Sequence, residues 1–208
     1  MVNITIPDVE FKERVANAQN LMKKMDIDTL LAFSTECEPA YVRYFADYWT
    51  NFETAAVIIP QAGEPVLLIG PECRTYAGLN SSKIARIIQL EDFRESSQPE
   101  YPNFNLSSWQ DVFGEYRTER LGMAGCHMFP HSIYMKVQKA LGKGEMVEAD
   151  SLVRQLMIKK SRAEIDCLRE SARISETGLK GCPGKNQARY DGSPGYWNCH
   201  CCNDGKRG

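Results

Sequence analysis

Short apolar strands alternating with amphipathic helices, interrupted by a single hairpin, predict an α/β fold: a mixed, mostly parallel sheet with helices on both faces. Three observations carry that prediction. Residues 29–33 (TLLAF) and 85–90 (ARIIQL) are apolar runs of strand length, too short for buried helices. Segments between such runs place apolar residues at helical spacing. Residues 55–60 (AAVIIP) and 65–69 (PVLLI) are separated only by Gln61-Ala62-Gly63-Glu64, a turn that joins them as a hairpin.

Taken in order, residues 9–25 form a helix with Val9, Phe11, Val15, Ala18, Leu21, Met22 and Met25 on its apolar side. Asp8 is placed to cap it. The strand at 29–33 follows, then one or two helical turns over 40–45. After the hairpin, Pro71 opens a helix over 71–79, and 85–90 is a strand. A polar loop with Pro99 and Pro102 occupies 91–106. Residues 107–116 form a helix capped by Ser107 or Ser108, with Trp109, Val112 and Phe113 inward. A strand at 120–124, a helix over 130–141 stopped by Gly142 and a strand at 146–148 complete the domain. A connector over 152–178 comes next: an apolar helix, a basic joint at Lys159-Lys160-Ser161, and an amphipathic helix. Ser161 and Glu164 form a capping box. Ile165, Leu168, Ala172 and Ile174 make the stripe of that second helix. The expected division is a domain over 1–157, a linker with the first helix of a further domain over 158–180, and an aberrant tail over 181–208.

Bulk properties exclude several classes. Net charge is −2, with acids and bases balanced, which does not fit nucleic-acid binding. No apolar run approaches the roughly 20 residues of a membrane span, and the first residues, MVNITIPDVEF, lack the pattern of a signal peptide. A cytoplasmic location is expected. Cys37, Cys73, Cys126 and Cys167 are spread as buried thiols in a reducing compartment would be. Cys182, Cys199, Cys201 and Cys202 crowd into the tail. His127 and His131 are four apart, but Pro130 interrupts them, so the two rings need not share a helix face. Glu36 and Glu38 disfavour a thiolate at Cys37. No G-x-S-x-G, P-loop or G-x-G-x-x-G is present.

Several stretches resemble the N-terminal domain of the creatinase, prolidase and aminopeptidase P family. Met25-Asp26-Ile27-Asp28-Thr29-Leu30-Leu31 is similar to the family's helix, turn and first strand. Val42-Arg43-Tyr44-Phe45 resembles its N-x-x-Y-x-T/S-G-F segment, and Glu64-Pro65-Val66-Leu67-Leu68-Ile69 its second hairpin strand. Residues 157–172 (MIKKSRAEIDCLRESA) are close to the R-x-I-K-S-x-x-E-I-x-x-L-R-x-A linker that leads into the catalytic domain. The likeness covers residues 1 to about 180. It implies a homodimer acting on a peptide bond before proline, or on a small amidine substrate such as creatine. It also implies a catalytic domain beyond the linker that holds two divalent metal ions such as Mn or Co through two Asp, one His and two Glu. Creatinase itself works without metal. None of those ligands maps onto this chain, so no cofactor is expected in it and the chain alone is expected to be inactive. By the same resemblance, Trp49, Phe52 and Glu53 wall the substrate pocket from the loop before the hairpin. Read from the residues alone, Tyr48, Trp49 and Phe52 are equally core or dimer-interface aromatics. Arg94 serves a substrate carboxylate or a surface ion pair. A stand-alone binding module that pairs with a full-length relative is the alternative to a truncated hydrolase.

The tail breaks this pattern. From Gly181 the chain is rich in Gly, Cys and Asn and nearly free of aliphatic residues. Back-translated with permitted synonymous codons and read one nucleotide later, it gives a helical run, then the family's K-P-G-M-T turn, then a second helical run. The Trp197-Asn198 overlap allows only Gly in that frame, and Tyr190-Asp191 and Asn203-Asp204 allow only Met or Thr. A zinc site from Cys182, Cys199, His200, Cys201 and Cys202 is the rival, but its crowded ligands do not fit C-x₂₋₄-C spacing. A one-nucleotide insertion near the Lys180 and Gly181 codons is therefore expected. Resequencing that region should show a downstream frame encoding the K-P-G-M-T turn; an unambiguous read with no such frame contradicts the expectation.

Overall fold

The computed structural model describes residues 4–50, 54–79, 82–94 and 106–180. Two compact units divide them. The larger, Pro7–Lys159, contains α1 (Asp8–Met25), β1 (Thr29–Ser34), α2 (Ala40–Ala46), the hairpin strands β2 (Ala55–Pro60) and β3 (Val66–Ile69), and a 3-10 turn (Pro71–Cys73) running into α3 (Arg74–Leu79). It continues with β4 (Arg86–Gln89), α4 (Trp109–Gly114), β5 (Arg120–Ala124), α5 (His131–Leu141), β6 (Glu145–Glu148) and α6 (Asp150–Ile158). The second unit contains α7 (Arg162–Lys180).

The six strands form one sheet in the order β4-β3-β2-β1-β5-β6. β1 pairs antiparallel with β2 and parallel with β5; β2–β3 is antiparallel, and β3–β4 and β5–β6 are parallel. All strands except β2 therefore end at the same edge. All residues of β1, β2 and β3 are buried, as strands covered on both faces must be. Their side chains alternate between two cores. Leu30, Ala32, Val57, Ile59, Leu67 and Ile69 meet residues of α1, α2 and α6. Leu31, Phe33, Ala56, Ile58, Val66 and Leu68 meet α4 and α5. The predicted α/β class, its hairpin and its two helical layers are those observed.

Local chemistry explains the boundaries and several departures from expectation. Asp8 is not the cap of α1. Pro7, with its fixed φ of −64°, occupies that position and Asp8 begins the helix. The Asp8 carboxylate instead pairs with Lys83 at 2.7 Å, and this bond and charge hold its carboxyl below the usual range. Val9 is exposed because the inward face of α1 runs through Phe11, Val15, Ala18 and Met22. That face also carries a residue the periodicity passed over. Arg14 is buried; its guanidinium donates to the Tyr44 carbonyl at 2.8 Å and to Glu10 at 2.6 Å, and lies over the Tyr44 ring. Ser108 caps α4, and Asp111 returns a bond to its backbone N–H. The four dispersed cysteines are not uniformly buried: Cys73 is, Cys126 and Cys167 are intermediate, and Cys37 is exposed, because it lies in the loop after β1 rather than in a strand.

In the second unit, the expected capping box is present. The Glu164 N–H donates to Ser161 Oγ at 3.0 Å, and the Ser161 N–H donates to the Glu164 carboxylate at 2.8 Å. Ion pairs such as Arg162–Asp166 and Arg173–Glu170 lace one side of α7, while Leu168, Ile174 and Leu179 are exposed. Among the described residues, no helix is long and apolar enough to cross a membrane.

Gly125, just after β5, has φ of +90°, and a Cβ there would come within 2.6 Å of the Phe33 carbonyl. Gly78, in α3, has open space. Gly125→Ala should therefore cost about 2 kcal/mol or more, whereas Gly78→Ala should stabilise by roughly 0.5 to 1 kcal/mol. Urea unfolding of the two variants reads both; equal effects would contradict this packing.

Candidate functional site

Ligands of open α/β sheets bind beyond the carboxyl ends of the strands, where the strand order turns from one side to the other. Here that point lies between β1, whose chain continues through α2 to β2, and β5, whose chain continues through α5 to β6. The loops after β1 and β5 and the loop from α2 to β2 share this rim.

Short-range bonds hold the rim together. Ser34 Oγ accepts from the Val42 N–H at 3.0 Å and fixes the start of α2. The Gly125 N–H donates to Asp150 Oδ1 at 2.8 Å, and the Asp150 N–H donates to Glu148 at 2.7 Å, tying the β5 turn to α6. Arg154 Nε donates to the Tyr41 hydroxyl at 3.3 Å. Burial, more than any charge, pushes the Tyr41 hydroxyl up in pKa. Burial, followed by the Asp150 and Glu148 charges, also pushes the Cys126 thiol up, so it is a weak nucleophile. Across the rim, His127 Nε2 lies 3.1 Å from Glu38 Oε2, both half-exposed. Among the described residues no three His, Cys, Asp or Glu side chains converge as metal ligands. His127 lies in a 3-10 turn and His131 opens α5, with Pro130 between them at the helix cap. The described part of this chain does not fit a two-metal centre.

The α2–β2 loop separates its aromatics. Asp47 closes α2 in the left-handed region, at φ of 52°. Tyr48 is buried at 1% exposure, and Thr50 at 0%, its hydroxyl donating to the Thr35 carbonyl at 2.8 Å. Trp49, between these two anchors, is 42% exposed. Of this aromatic run, Tyr48 is core and Trp49 faces out. The Arg43 guanidinium lies over the Trp49 ring, 4.5 Å from its centroid. Phe52 and Glu53 lie outside the described residues, as do Cys182, Cys199, His200, Cys201 and Cys202 of the tail.

Arg94 ends the 3-10 turn Glu91–Phe93. Phe93 anchors that turn in the second core, edge-on to Trp109 at 5.7 Å. Arg94 Nε is buried and, among the described residues, has no hydrogen-bond partner. None of the described ion pairs includes Arg94, and no described contact joins it to Trp49. The site therefore brings Trp49 together with Arg43, which the sequence singles out only as part of the family-like segment 42–45 and not as a site residue. The available signal was spacing: Arg43 sits in the last turn of α2, and the chain reverses at Asp47. An open groove of about 530 Å³ lies elsewhere, lined by Phe11, Lys12, Gln19, Pro65, Lys83 and Arg86, where β3 and β4 begin. It contains none of the rim residues.

Known proteins share this fold. Residues 14–156 match the profile described as Creatinase/Prolidase N-terminal domain. An uncharacterized hydrolase/peptidase, y4tM, from Sinorhizobium fredii (strain NBRC 101917 / NGR234) is 24% identical over 178 residues, covering 83% of this chain and 44% of that protein. The X-Pro aminopeptidase of Thermotoga maritima superposes with a TM-score of 0.61 at 16% identity, over 80% of this chain and 42% of that one. The N-terminal domain of the cytoplasmic peptidase PepQ from Mycobacterium tuberculosis superposes with a TM-score of 0.52 at 17% identity, over 69% of this chain and 98% of that one. The chain thus spans under half the length of the first two of these relatives, but almost all of the isolated domain.

Proposed function

The chain belongs to the creatinase/prolidase N-terminal domain family, and from that premise we propose that it is the substrate-capping and dimerising part of a Xaa-Pro peptidase or creatinase-like hydrolase. Catalysis and the metal ions belong, in this reading, to a domain that follows α7 in relatives. The frame-shifted tail is part of the same proposal, and the cytoplasm is its place of action.

The observation that carries the reading is the exposed Trp49 on the switch-point rim. An indole held outward between two fully buried anchors costs hydrophobic free energy in an isolated domain. Covering a ligand offsets that cost. Phe52 and Glu53 continue the same loop in sequence.

The test uses the purified full chain with the dipeptide Gly-Pro, with and without added Mn²⁺ or Co²⁺. The expected result is saturable perturbation of the Trp49 indole N–H resonance, no hydrolysis above background, and a dimer in sedimentation equilibrium. Hydrolysis above background would overturn the assignment of catalysis to another domain. A silent Trp49 would overturn the substrate-capping role.

A further inference from the structure

We infer that the groove between α1 and the first residues of β3 and β4 binds a small amphipathic anion, a carboxylate with an apolar tail such as a medium-chain fatty acid, with Lys12 and Lys83 receiving the head group. The groove shares no residue with the Trp49 rim, so this inference is independent of the substrate-capping reading.

Three observations lead there. First, size and lining suit a small molecule with an apolar tail. The groove holds about 530 Å³, within the roughly 300–1,000 Å³ of small-molecule sites. Phe11, Val15, Phe45 and Ile84, all buried, form its floor. Such a surface gains free energy when a tail displaces water from it.

Second, positive charge gathers at one end. Lys83 Nζ lies 2.7 Å from Asp8 and stands over the Phe11 ring, 6.0 Å from its centroid. Lys12, one helical turn after Asp8, is exposed and has no ion pair among the described residues. The Lys83 hydrogen bond and charge, and after them the Lys12 charge, hold the Asp8 carboxyl below its usual range. Two ammonium groups thus act on one carboxylate, and a ligand carboxylate would supply the second through charge-assisted hydrogen bonds. The third cation of the lining, Arg86, already pairs with Glu115. Glu64, the one carboxylate of the lining, follows Gly63, whose carbonyl is bound by Gln19, seven residues along α1 from Lys12. That is about 10 Å of helix. Charge therefore orients the ligand, its head at Lys12 and Lys83 and its tail running along α1.

Third, the walls are preformed. Gln19 Nε2 donates to the Pro60 carbonyl at 3.0 Å and the Gly63 carbonyl at 2.9 Å, fixing the hairpin turn to α1. The Lys83 N–H donates to the Ala46 carbonyl at 2.8 Å and fixes the approach to β4. Binding to such a site orders little that is not already ordered. Ala16, exposed and small, lies midway along the α1 wall. A bulky side chain there would fill the groove from outside and leave both cores intact.

The experiment titrates octanoate, octanol and acetate into the full chain and follows the Val15 and Ile84 methyl resonances by NMR. Octanoate should shift both saturably and bind about tenfold more tightly than octanol, as expected for a charge-assisted head group. Acetate, which lacks the tail, should leave them unmoved. Lys12→Gln should weaken octanoate about threefold or more and leave octanol within about twofold. Ala16→Trp should abolish binding of both, with a native circular dichroism spectrum confirming the fold. Unmoved methyls, equal binding of octanoate and octanol, unchanged octanoate affinity in Lys12→Gln, or binding that survives Ala16→Trp each overturns the inference. Shifts of Val15 and Ile84 that grow with protein concentration alone would assign the groove to a second copy of the chain and overturn it as well.

Discussion

Burial of β1 on both faces, between an antiparallel neighbour and a parallel one, is the constraint on which the larger unit depends. Thr29 to Ser34 alternate between two cores that do not share side chains of that strand. Such a strand must be apolar through its middle, Leu30–Phe33, and a register slip of one residue would exchange its two faces. Its pairing with β2 runs over six residues and with β5 over four. Those two partners flank β1 on opposite sides in the sheet. β1 is therefore where the connectivity divides, and the carboxyl end of β1 is where polar loops from both halves meet.

The candidate rim follows from that division. Loop residues at a strand end cannot all be satisfied by the sheet, so side chains and short turns complete their hydrogen bonds. Ser34, Thr35, Thr50 and Asp150 do this here. Gly125 allows the β5 turn to pass against the Phe33 carbonyl, which a side chain would block. With the backbone so fixed, the exposed side chains are left for other work. Trp49 and Arg43 lie over one another, and His127 meets Glu38. The scaffold supplies rigidity and the loops supply chemistry, the usual partition in α/β domains.

Much of this fold was legible in the sequence because period and punctuation agreed. β1, β2 and β3 announced themselves as apolar runs, and the Gln61–Glu64 turn joined two of them. The capping box at Ser161 was readable from residue type and spacing, and so was a serine cap for α4, with Ser107 and Ser108 both open; the structure uses Ser108. What could not be read was pairing across distance: nothing local tells Leu31 that its neighbour is Met123. The same limit explains the misplaced details. Asp8 has the chemistry of a cap, but Pro7 already occupied the turn. Cys37 has the chemistry of a core residue, but it fell in a loop. At the candidate site, Tyr48 and Trp49 are equivalent by composition, and only the anchors on either side decide which one turns outward. Arg43 escaped notice because its partner is an aromatic ring six positions on, beyond the reach of helical spacing.

Native-state hydrogen exchange on the full chain tests most directly whether a rigid central strand supports a separately adjustable rim. The account predicts that amides of Leu30 to Phe33 and Leu121 to Met123 exchange only through global unfolding, with the highest and mutually equal opening free energies. Amides of the rim, from Glu36 to Glu38 and at Trp49, should open locally at much lower cost. Exchange of β1 amides through local openings as frequent as those of the rim would contradict it.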